Sequence, residues 1–552
     1  MLEAIGLNEP LVAGMAIAAM AALSFYLVFA AGQFNVAQPG FMAIGAYAVG
    51  LTVTANHPIL LGMLIGIVVS AGIGAILTAV TIRLSGVYLA MATLAFVEMV
   101  EQTINITPAL KGSMGVYGIP QSLDAVQCWL ILLVVAFVIH RLMGTRLGYE
   151  MRILREDAVV ARGIGVDDFR VKMTTGIASA VVAAIAGGME ALTTSYISSG
   201  EFTFGLLILI LSFAIVGGTE RYWGAIVGAV LLTALPEYTR GFQQYRMIFS
   251  GLLILGVVVL FPEGIAGAIV RLLDRFGLRR KRIDKVHVPP LAPVHGDPEV
   301  VLEATDVAKG FGGVHAVDGA SLQLESGVVH GLIGPNGAGK STLVDLLSGE
   351  QRTDAGRISL RGEDVTRLNA HRRSRRGIAR TFQTSRLTQN MTVHEVAYSG
   401  CLMAETPGTL GKLLGLPRLV RQYREAHVRA DIVLKRLHLE ASAERYVRNL
   451  GWEEQRRLEI ARAMALSPAV LLLDEPTAGM HADSLPGFGR LVREIASSGA
   501  AVLLIEHNVG FIRSTVDVLY AMDLGRMVAK GQTNDVLSDP VVVDSYLGAK
   551  AR

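Results

Sequence analysis

A polytopic α-helical membrane domain followed by an α/β domain is the fold class this sequence predicts, on three observations. The first is composition. Of 552 residues, 52% are hydrophobic and only 18% charged, and the mean hydropathy is +0.47. That is too apolar for an ordinary soluble enzyme. The second is a run of apolar stretches long enough to cross a bilayer, confined to the first half. The third is a change of pattern at Val301, where short strands begin to alternate with helical stretches. At its centre stands Gly334-Pro335-Asn336-Gly337-Ala338-Gly339-Lys340-Ser341-Thr342, a match to the phosphate-binding loop G-x-x-x-x-G-K-[ST].

The membrane domain is expected over 1–282. Its apolar stretches lie at 11–31, 40–55, 59–82, 86–105, 127–142, 172–197, 204–219, 223–236 and 247–262, about nine in all. Several are short or glycine-rich, which points to a broken or re-entrant segment among them. Gly62 and Gly66, followed by Gly72 and Gly74, are small enough for close helix crossings. Two basic loops orient the bundle. One is 141–172, with Arg141, Arg146, Arg152, Arg155, Arg162, Arg170 and Lys172. The other follows the last stretch, with Arg271, Arg275, Arg279, Arg280, Lys281, Arg282 and Lys285. Both are expected in the cytoplasm, and nine spans connect them with the N-terminus outside. No cleavable signal peptide is expected, because the first apolar stretch lacks a basic leader and is long enough to remain. A net charge of +3 does not point to nucleic acid. Two cysteines, Cys128 and Cys401, supply neither a disulfide framework nor a metal cluster. Glu98, Glu101 and Glu190 fall in or near apolar spans, where charge is costly and often functional. Glu98 and Glu101 are expected near the outer end of a span and Glu190 deeper.

A proline-rich linker is expected at 283–300 and the α/β domain at 301–552. Within it, Val328 to Ile333 reads as a strand and Lys340 to Ser348 as the helix after the phosphate loop. Loop glycines let backbone N–H groups close around phosphates, Lys340 adds a positive charge, and the Ser341 hydroxyl suits Mg²⁺. Val470 to Leu473 reads as a buried parallel strand ending in Asp474 and Glu475. Asp474 is placed to hold Mg²⁺ through water, and Glu475 to polarise an attacking water. ATP and Mg²⁺ are thus the expected cofactors, and phosphoryl transfer needs the positioning and charge neutralisation these groups supply.

Further residues around this loop make the second half resemble the ATP-binding cassette (ABC) family. Gln383, in Arg380-Thr381-Phe382-Gln383-Thr384-Ser385, is similar to the family's Q-loop residue, which senses Mg²⁺ and contacts the membrane domain. His507, in Leu503-Leu504-Ile505-Glu506-His507-Asn508, resembles the switch histidine that contacts the γ-phosphate. Phe311 matches the aromatic that stacks on adenine. The resemblance therefore implies Glu475, His507 and Gln383 as catalytic, Ser341, Gln383 and Asp474 around the metal, and Phe311 with 334–342 around the nucleotide. The family signature departs from its usual Leu-Ser-Gly-Gly-Gln. Here Gly451, Trp452, Glu453, Glu454 and Gln455 follow Leu450. Gly451 lacks the serine hydroxyl, and Glu453 and Glu454 set negative charge where donors are wanted. A weak signature is expected, and hence pairing with a second, different cassette. His481 stands where the family usually has Asp or Asn.

The first half resembles the permease subunit of branched-chain amino acid importers over nearly all of 11–270. The matching blocks are Gly32 to Phe41 with Ala43 to Tyr47, then Arg83 to Ala90 with Thr93 to Glu98, then Gly112 to Pro120. The closest is Ile153 to Gly165, which contains Arg155, Glu156, Asp157, Ala161 and Arg162. The resemblance implies that this stretch is the coupling loop, and Ala158, Ala161 and Ile164 fall at helical spacing. The second half resembles the matching ATP-binding subunit, including its end, Asp539-Pro540 and Tyr546-Leu547-Gly548. The chain thus resembles a natural fusion of two importer subunits. That implies ATP-driven import across a bacterial inner membrane, with the ATPase domain in the cytoplasm. The implied partners are a second permease subunit, a second ABC ATPase subunit, an extracytoplasmic solute-binding protein and membrane lipid. Urea, amides or aromatic acids are alternative substrates within that family. An exporter half-transporter or a membrane-anchored regulatory ATPase are the rival readings.

Overall fold

The computed structural model describes residues 8–238, 251–252, 255–256, 259–261, 264–275, 299–383, 386–404 and 417–544. The expected linker lies outside them except for its last two residues. So do most of the expected segment 247–262, the basic residues Arg279 to Lys285, Thr384 and Ser385, and the C-terminal Tyr546 to Gly548. Two compact units emerge. One comprises Met1–Glu156 with Asp168–Ile283, and the other Asp157–Asp167 with Asp284–Arg552.

The first unit is helical: α1 (Glu9–Phe29), α2 (Gln38–Thr54), α3 (Ile59–Thr81), α4 (Gly86–Ile106), α5 (Ala125–Met143), α6 (Arg146–Glu156), α8 (Asp168–Thr193), α9 (Phe204–Gly217), α10 (Tyr222–Tyr238) and α11 (Gly264–Arg275). Eight of the nine expected segments coincide with helices α1–α5 and α8–α10. Among the described residues, six apolar helical segments are long enough to cross a membrane: α1, α3, α4, α5, α8, and α9 taken together with the turn before it as Ser199–Gly217. The α2 and α10 helices, at 17 residues each, fall short of the ~20 a full crossing takes. Helices α1 and α8 are mostly buried, whereas α3, α4 and α5 turn apolar side chains such as Leu60, Val68, Ile76, Val134 and Phe137 outward. That pattern suits an inner pair of helices surrounded by lipid-facing ones.

Small residues set the crossings. A Cβ on Gly45 would overlap the Ala184 backbone, and one on Gly187 the Met42 backbone, so α2 and α8 touch main chain to main chain. Gly62 and Gly66 lie against Val49 and Gly45 of α2, and Gly74 against Ala180, whereas Gly72 faces open space. The break between α1 and α2, residues 30–37, is non-helical and buried except at Gly32 and Phe34. Side chains satisfy its backbone, as an apolar environment demands. The Val36 amide donates to Thr93 Oγ1 (3.0 Å), the Ala37 amide to Asn35 Oδ1 (2.9 Å), and Gln33 Nε2 to Thr175 Oγ1 (2.9 Å). Glu98 and Glu101 lie in the second half of α4. Glu190 occupies the last turn of α8, nearer a helix end than the sequence suggests, because that helix stops at Thr193.

The second unit is α/β. Strands β3 (Val300–Phe311), β4 (Val314–Glu325), β6 (Ala355–Leu360) and β7 (Glu363–Asp364) form an antiparallel sheet in the order β4-β3-β6-β7. A six-stranded sheet, order β12-β11-β5-β10-β9-β8, carries β5 (Val329–Ile333), β8 (Ile378–Arg380), β9 (Val470–Asp474), β10 (Ala501–Ile505), β11 (Val518–Asp523) and β12 (Arg526–Gln532). All its pairings are parallel except that of the edge strand β12. The short strands β1 (Val116–Tyr117) and β2 (Tyr196–Ile197) pair in the first unit. β5, β9 and β10 are buried at every residue, as continuous apolar runs inside a covered parallel sheet must be. One core joins the two sheets, with Leu302, Leu322 and Ile358 on one side and Leu332, Leu346, Leu472 and Leu503 on the other.

Helices α12 (Lys340–Ser348), α13 (Ala370–Arg375), α14 (Val393–Ala404), α15 (Pro417–Arg436), α16 (Trp452–Met464) and α17 (Leu485–Ser497) belong to this unit, together with α7 (Ala158–Gly163) and three shorter helices, Val509–Thr515, Thr533–Leu537 and Pro540–Val542. Arg373, fully buried, ends α12 by donating to the carbonyls of Leu346, Leu347, Thr366 and Leu368. A cation there meets the negative end of the helix dipole.

Candidate nucleotide site

Open parallel sheets bind ligands at the carboxyl ends of their strands, and there the chain sets its polar groups. β5 runs into Gly334. Its φ of +155° and the Met522 carbonyl against it leave no room for a Cβ. Gly339 (φ +98°) is the N-cap of α12 and lies against the Ala316 carbonyl of β4. Only glycine accepts both the left-handed backbone and these approaches. Between them Pro335 is half-buried, Asn336 and Gly337 are exposed, and Ala338 is buried. Lys340 Nζ folds back onto the loop, donating to the carbonyls of Gly334 (2.8 Å) and Pro335 (2.9 Å). Burial lowers its pKa, against the opposing pull of Glu475 and Asp474. Ser341 is exposed and Thr342 half-buried in the first turn of α12.

Asp474 ends β9, buried, with Arg380 Nη2 at 3.5 Å. Burial raises its carboxyl above the usual range while Arg380 pulls it down. Arg380 also pairs with Asp345 of α12. The next residue, Glu475, adopts φ +45°, a left-handed conformation rare outside glycine. That turn aims its carboxylate at two of the residues predicted from sequence. Gln383 Nε2 donates to Glu475 Oε2 at 2.9 Å, and His507 Nε2 lies 2.8 Å from Glu475 Oε1. Three residues far apart in sequence therefore meet at one carboxylate.

Sequence reasoning missed Glu506. It is buried and accepts from the Thr477 amide (2.8 Å), Thr477 Oγ1 (2.6 Å) and the His507 amide (3.1 Å). It thus joins the turn after Glu475 to the turn that carries His507. Its place beside that histidine was the only available signal. Phe311 ends β3, 47% exposed, with Lys309 Nζ 5.5 Å from its ring centroid. Its hairpin partner strand reaches the phosphate loop at Ala316.

The signature stretch forms the start of α16, with Gly451 as N-cap. Glu454 accepts from the Gly451 amide (3.1 Å), Ser442 Oγ (2.6 Å) and Arg445 Nη1 (3.2 Å). The Ser442 bond, with those of Gly451 and Arg445, holds its carboxyl below the usual range. Glu453 pairs with Arg457 at 2.6 Å. The two carboxylates that sequence alone leaves free are therefore each engaged within the chain. Gln455 Nε2 turns back to the Leu450 carbonyl at 3.2 Å. Trp452 is 42% exposed and its ring lies against Gly479. His481 is exposed.

The stretch with the closest permease resemblance divides. Arg155, in the first unit, donates to the Thr219 carbonyl (3.0 Å) and Glu220 Oε1 (3.0 Å) and lies over Phe29. Glu156 is the last residue of α6. Asp157 to Asp167 belong to the second unit. Asp157 caps α7 through the Val159 (2.8 Å) and Val160 (3.1 Å) amides and accepts from Arg386 Nη1 (3.0 Å). Ala161 is fully buried, and Arg162 forks onto Glu350 at 2.5 and 3.2 Å. Arg375 Nε donates to the Gly165 carbonyl at 2.8 Å.

A family model for the ABC transporter domain matches residues 317–478, and one described as the branched-chain amino acid transport system, permease component, matches residues 10–258. The high-affinity branched-chain amino acid transport ATP-binding protein BraF of Pseudomonas aeruginosa is 36% identical over 253 residues. That alignment covers 45% of this chain and 98% of BraF. This chain belongs to the branched-chain amino acid ABC transporter family. LivG of Escherichia coli is similar at 35% over 249 residues, 45% of this chain and 98% of LivG. A probable LivG of Methanocaldococcus jannaschii is similar at 32% over 257 residues, 46% and 99%. A solved nucleotide-free ATP-binding cassette from an ABC transporter is 31% identical over 45% of this chain and 99% of its own length, with a TM-score of 0.40. The transporter therefore carries a permease component and an ABC ATPase, which couples ATP hydrolysis to transport, in one polypeptide.

Proposed function

We propose that this fused transporter imports branched-chain amino acids across the bacterial inner membrane. The single observation that carries its energy source is the convergence of Gln383 and His507 on Glu475, on the same chain as a permease. In this reading ATP phosphates lie along 334–342, and Lys340 exchanges its two carbonyl partners for phosphate oxygens. Glu475 orients the attacking water, His507 holds the Glu475 carboxylate and the γ-phosphate, and Phe311 stacks on adenine. Ser341 Oγ, the Asp474 carboxylate and Gln383 Oε1 are hard oxygen donors suited to Mg²⁺. Only Nε2 of Gln383 is used on Glu475. The metal would neutralise phosphate charge.

The names of BraF and LivG support the substrate class, and the basic loops support a cytoplasmic ATPase domain. Asp157, Ala161 and Arg162, seated through Arg386 and Glu350, act as the coupling element, with Arg155 and Glu156 leading into it. A solute-binding protein delivers substrate, and a second permease completes the path. A second cassette supplies an intact signature. The case for it rests on the hydroxyl missing at Gly451 and the bulk of Trp452, since Glu453 and Glu454 are already paired. Uptake of labelled leucine, isoleucine and valine into membrane vesicles, with and without binding protein, tests the reading. Lys340→Ala is expected to abolish accumulation. Wild-type accumulation by that variant, or uptake of only urea, amides or aromatic acids, would refute it.

A further inference from the structure

Beyond the residues at the nucleotide site, α16 inserts one buried cation between the two segments that carry Gln383 and Glu475. The Arg456 side chain is 3% exposed. Its Nη1 donates to the Phe382 carbonyl (2.5 Å) and to Glu459 Oε2 (2.6 Å). Its Nη2 donates to the carbonyls of Gln383 (2.5 Å) and Glu475 (3.2 Å). The planar fork suits this task, since one rigid group fixes three main-chain oxygens and one carboxylate at once. Trp452 closes the site, with its ring 5.7 Å from the guanidinium. The contacts continue outward. Glu459 Oε1 accepts from the Arg386 amide (2.9 Å), Arg462 Nη1 donates to the Arg386 carbonyl (2.9 Å), and Arg386 Nη1 reaches Asp157 Oδ2 (3.0 Å). Phe382 in turn lies against Gly163 of α7 and beneath Arg380 and Arg386.

We propose that Arg456 is a positioning residue that holds Gln383 against Glu475, and that Glu459 and Arg386 pass the position of that segment to Asp157 and α7. This deepens the proposed coupling and rests on it. No covalent step is involved. When Glu475 or Gln383 shifts with nucleotide, the carbonyls bound to Arg456 shift too. The Arg386 main chain, held on both sides by Glu459 and Arg462, carries the displacement to the cap of α7. The inner pair, Arg456 and Glu459, is buried and therefore stiff, because breaking it leaves an unpaired charge in low dielectric, whereas the outer Arg386–Asp157 pair is part-exposed.

The test uses the full-length chain in its purified complex. Arg456→Lys keeps the charge but loses the fork. It is expected to lower kcat for ATP by roughly tenfold or more while KM for ATP stays within about twofold. Arg386→Ala breaks only the outer end. It is expected to keep ATP hydrolysis within about twofold yet lower solute moved per ATP by roughly fivefold or more. An unchanged kcat in Arg456→Lys, a change in KM alone, or a parallel loss of hydrolysis and uptake in Arg386→Ala overturns the proposal. Should Arg456→Lys fail to assemble, Glu459→Gln replaces it with the same expected split, and a wild-type kcat there overturns it. Lys340→Ala is the control. Hydrolysis surviving in that variant sinks the underlying site. Hydrolysis lost there but normal in Arg456→Lys sinks only this inference.

Discussion

Removing the Arg162–Glu350 pair should loosen α7 from the cassette by a measurable amount. Two unit charges ~4 Å apart attract by about 4 kcal/mol at an effective dielectric of ~20. Neither partner is fully buried, with side chains 31% and 16% exposed, so solvent screening reduces this. Ordering two long side chains costs up to ~2 kcal/mol each. The forked geometry at 2.5 and 3.2 Å recovers part of that. The net coupling is then about 1–2 kcal/mol, or roughly 5- to 30-fold in an opening equilibrium. Hydrogen exchange reports it directly. The amides of Ala161, Ile164 and Val166 bond to the carbonyls of Asp157, Val160 and Ala161, so they exchange only when α7 opens. Arg162→Ala should speed them by that factor. Adding Glu350→Ala should cost nothing further, and exchanging the two residues should restore protection. Uptake per ATP should fall with the same ordering. Rates within about twofold of wild type in the single variant, or additive losses in the double, would refute the electrostatic account.

Three further outcomes follow from the geometry. Glu475→Gln keeps hydrogen-bonding capacity toward Gln383 and His507 but loses the charge. It should lower ATPase kcat roughly 100-fold or more, with nucleotide binding unchanged in a fluorescence titration. His330 is buried in β5, and burial depresses its pKa from 6.5 to about 4. The unfolded chain takes up that proton through pH 6.5 while the folded chain does not until about 4. Stability should therefore fall as pH drops across that window, by about 3 kcal/mol, and level off below it. His330→Phe should flatten the dependence, read from exchange of the β5 amides. In the membrane unit, Gly187→Val puts a side chain into the Met42 backbone, whereas Gly72→Val meets open space. The first should cost about 3 kcal/mol or more and lower the thermal stability of the detergent-solubilised protein. The second should leave it unchanged.

Sequence reading succeeded wherever the chemistry is local. The phosphate loop, the β9 run and most membrane helices are contiguous patterns, and their elements appear almost where expected. It also selected Gln383 and His507, but through family resemblance rather than through any property of a lone Gln or His. What it missed are pairings at long range. Glu453 and Glu454 look like free charges until Arg457, Ser442 and Arg445 are seen beside them. Arg456 and Glu459 look like one more charged face of a helix, yet both side chains are buried. Arg155 sits in the loop block by sequence but turns toward Thr219 and Glu220. Membrane helices showed the same limit. Hydropathy found α2 but not that its entry is a break whose amides at Val36 and Ala37 are capped by side chains.

Residue order alone was enough to establish a membrane-embedded half, a phosphate-gripping half and the strand that ends in Asp474 and Glu475, because backbone preference, hydrophobic period and glycine spacing act over a few neighbours. Folding in three dimensions settled which carboxylates are spent on structure, which cation ties Gln383 to Glu475, and which main chains touch at Gly45 and Gly187. Those outcomes depend on desolvation and on distances between residues dozens of positions apart, and neither quantity exists until the chain has packed.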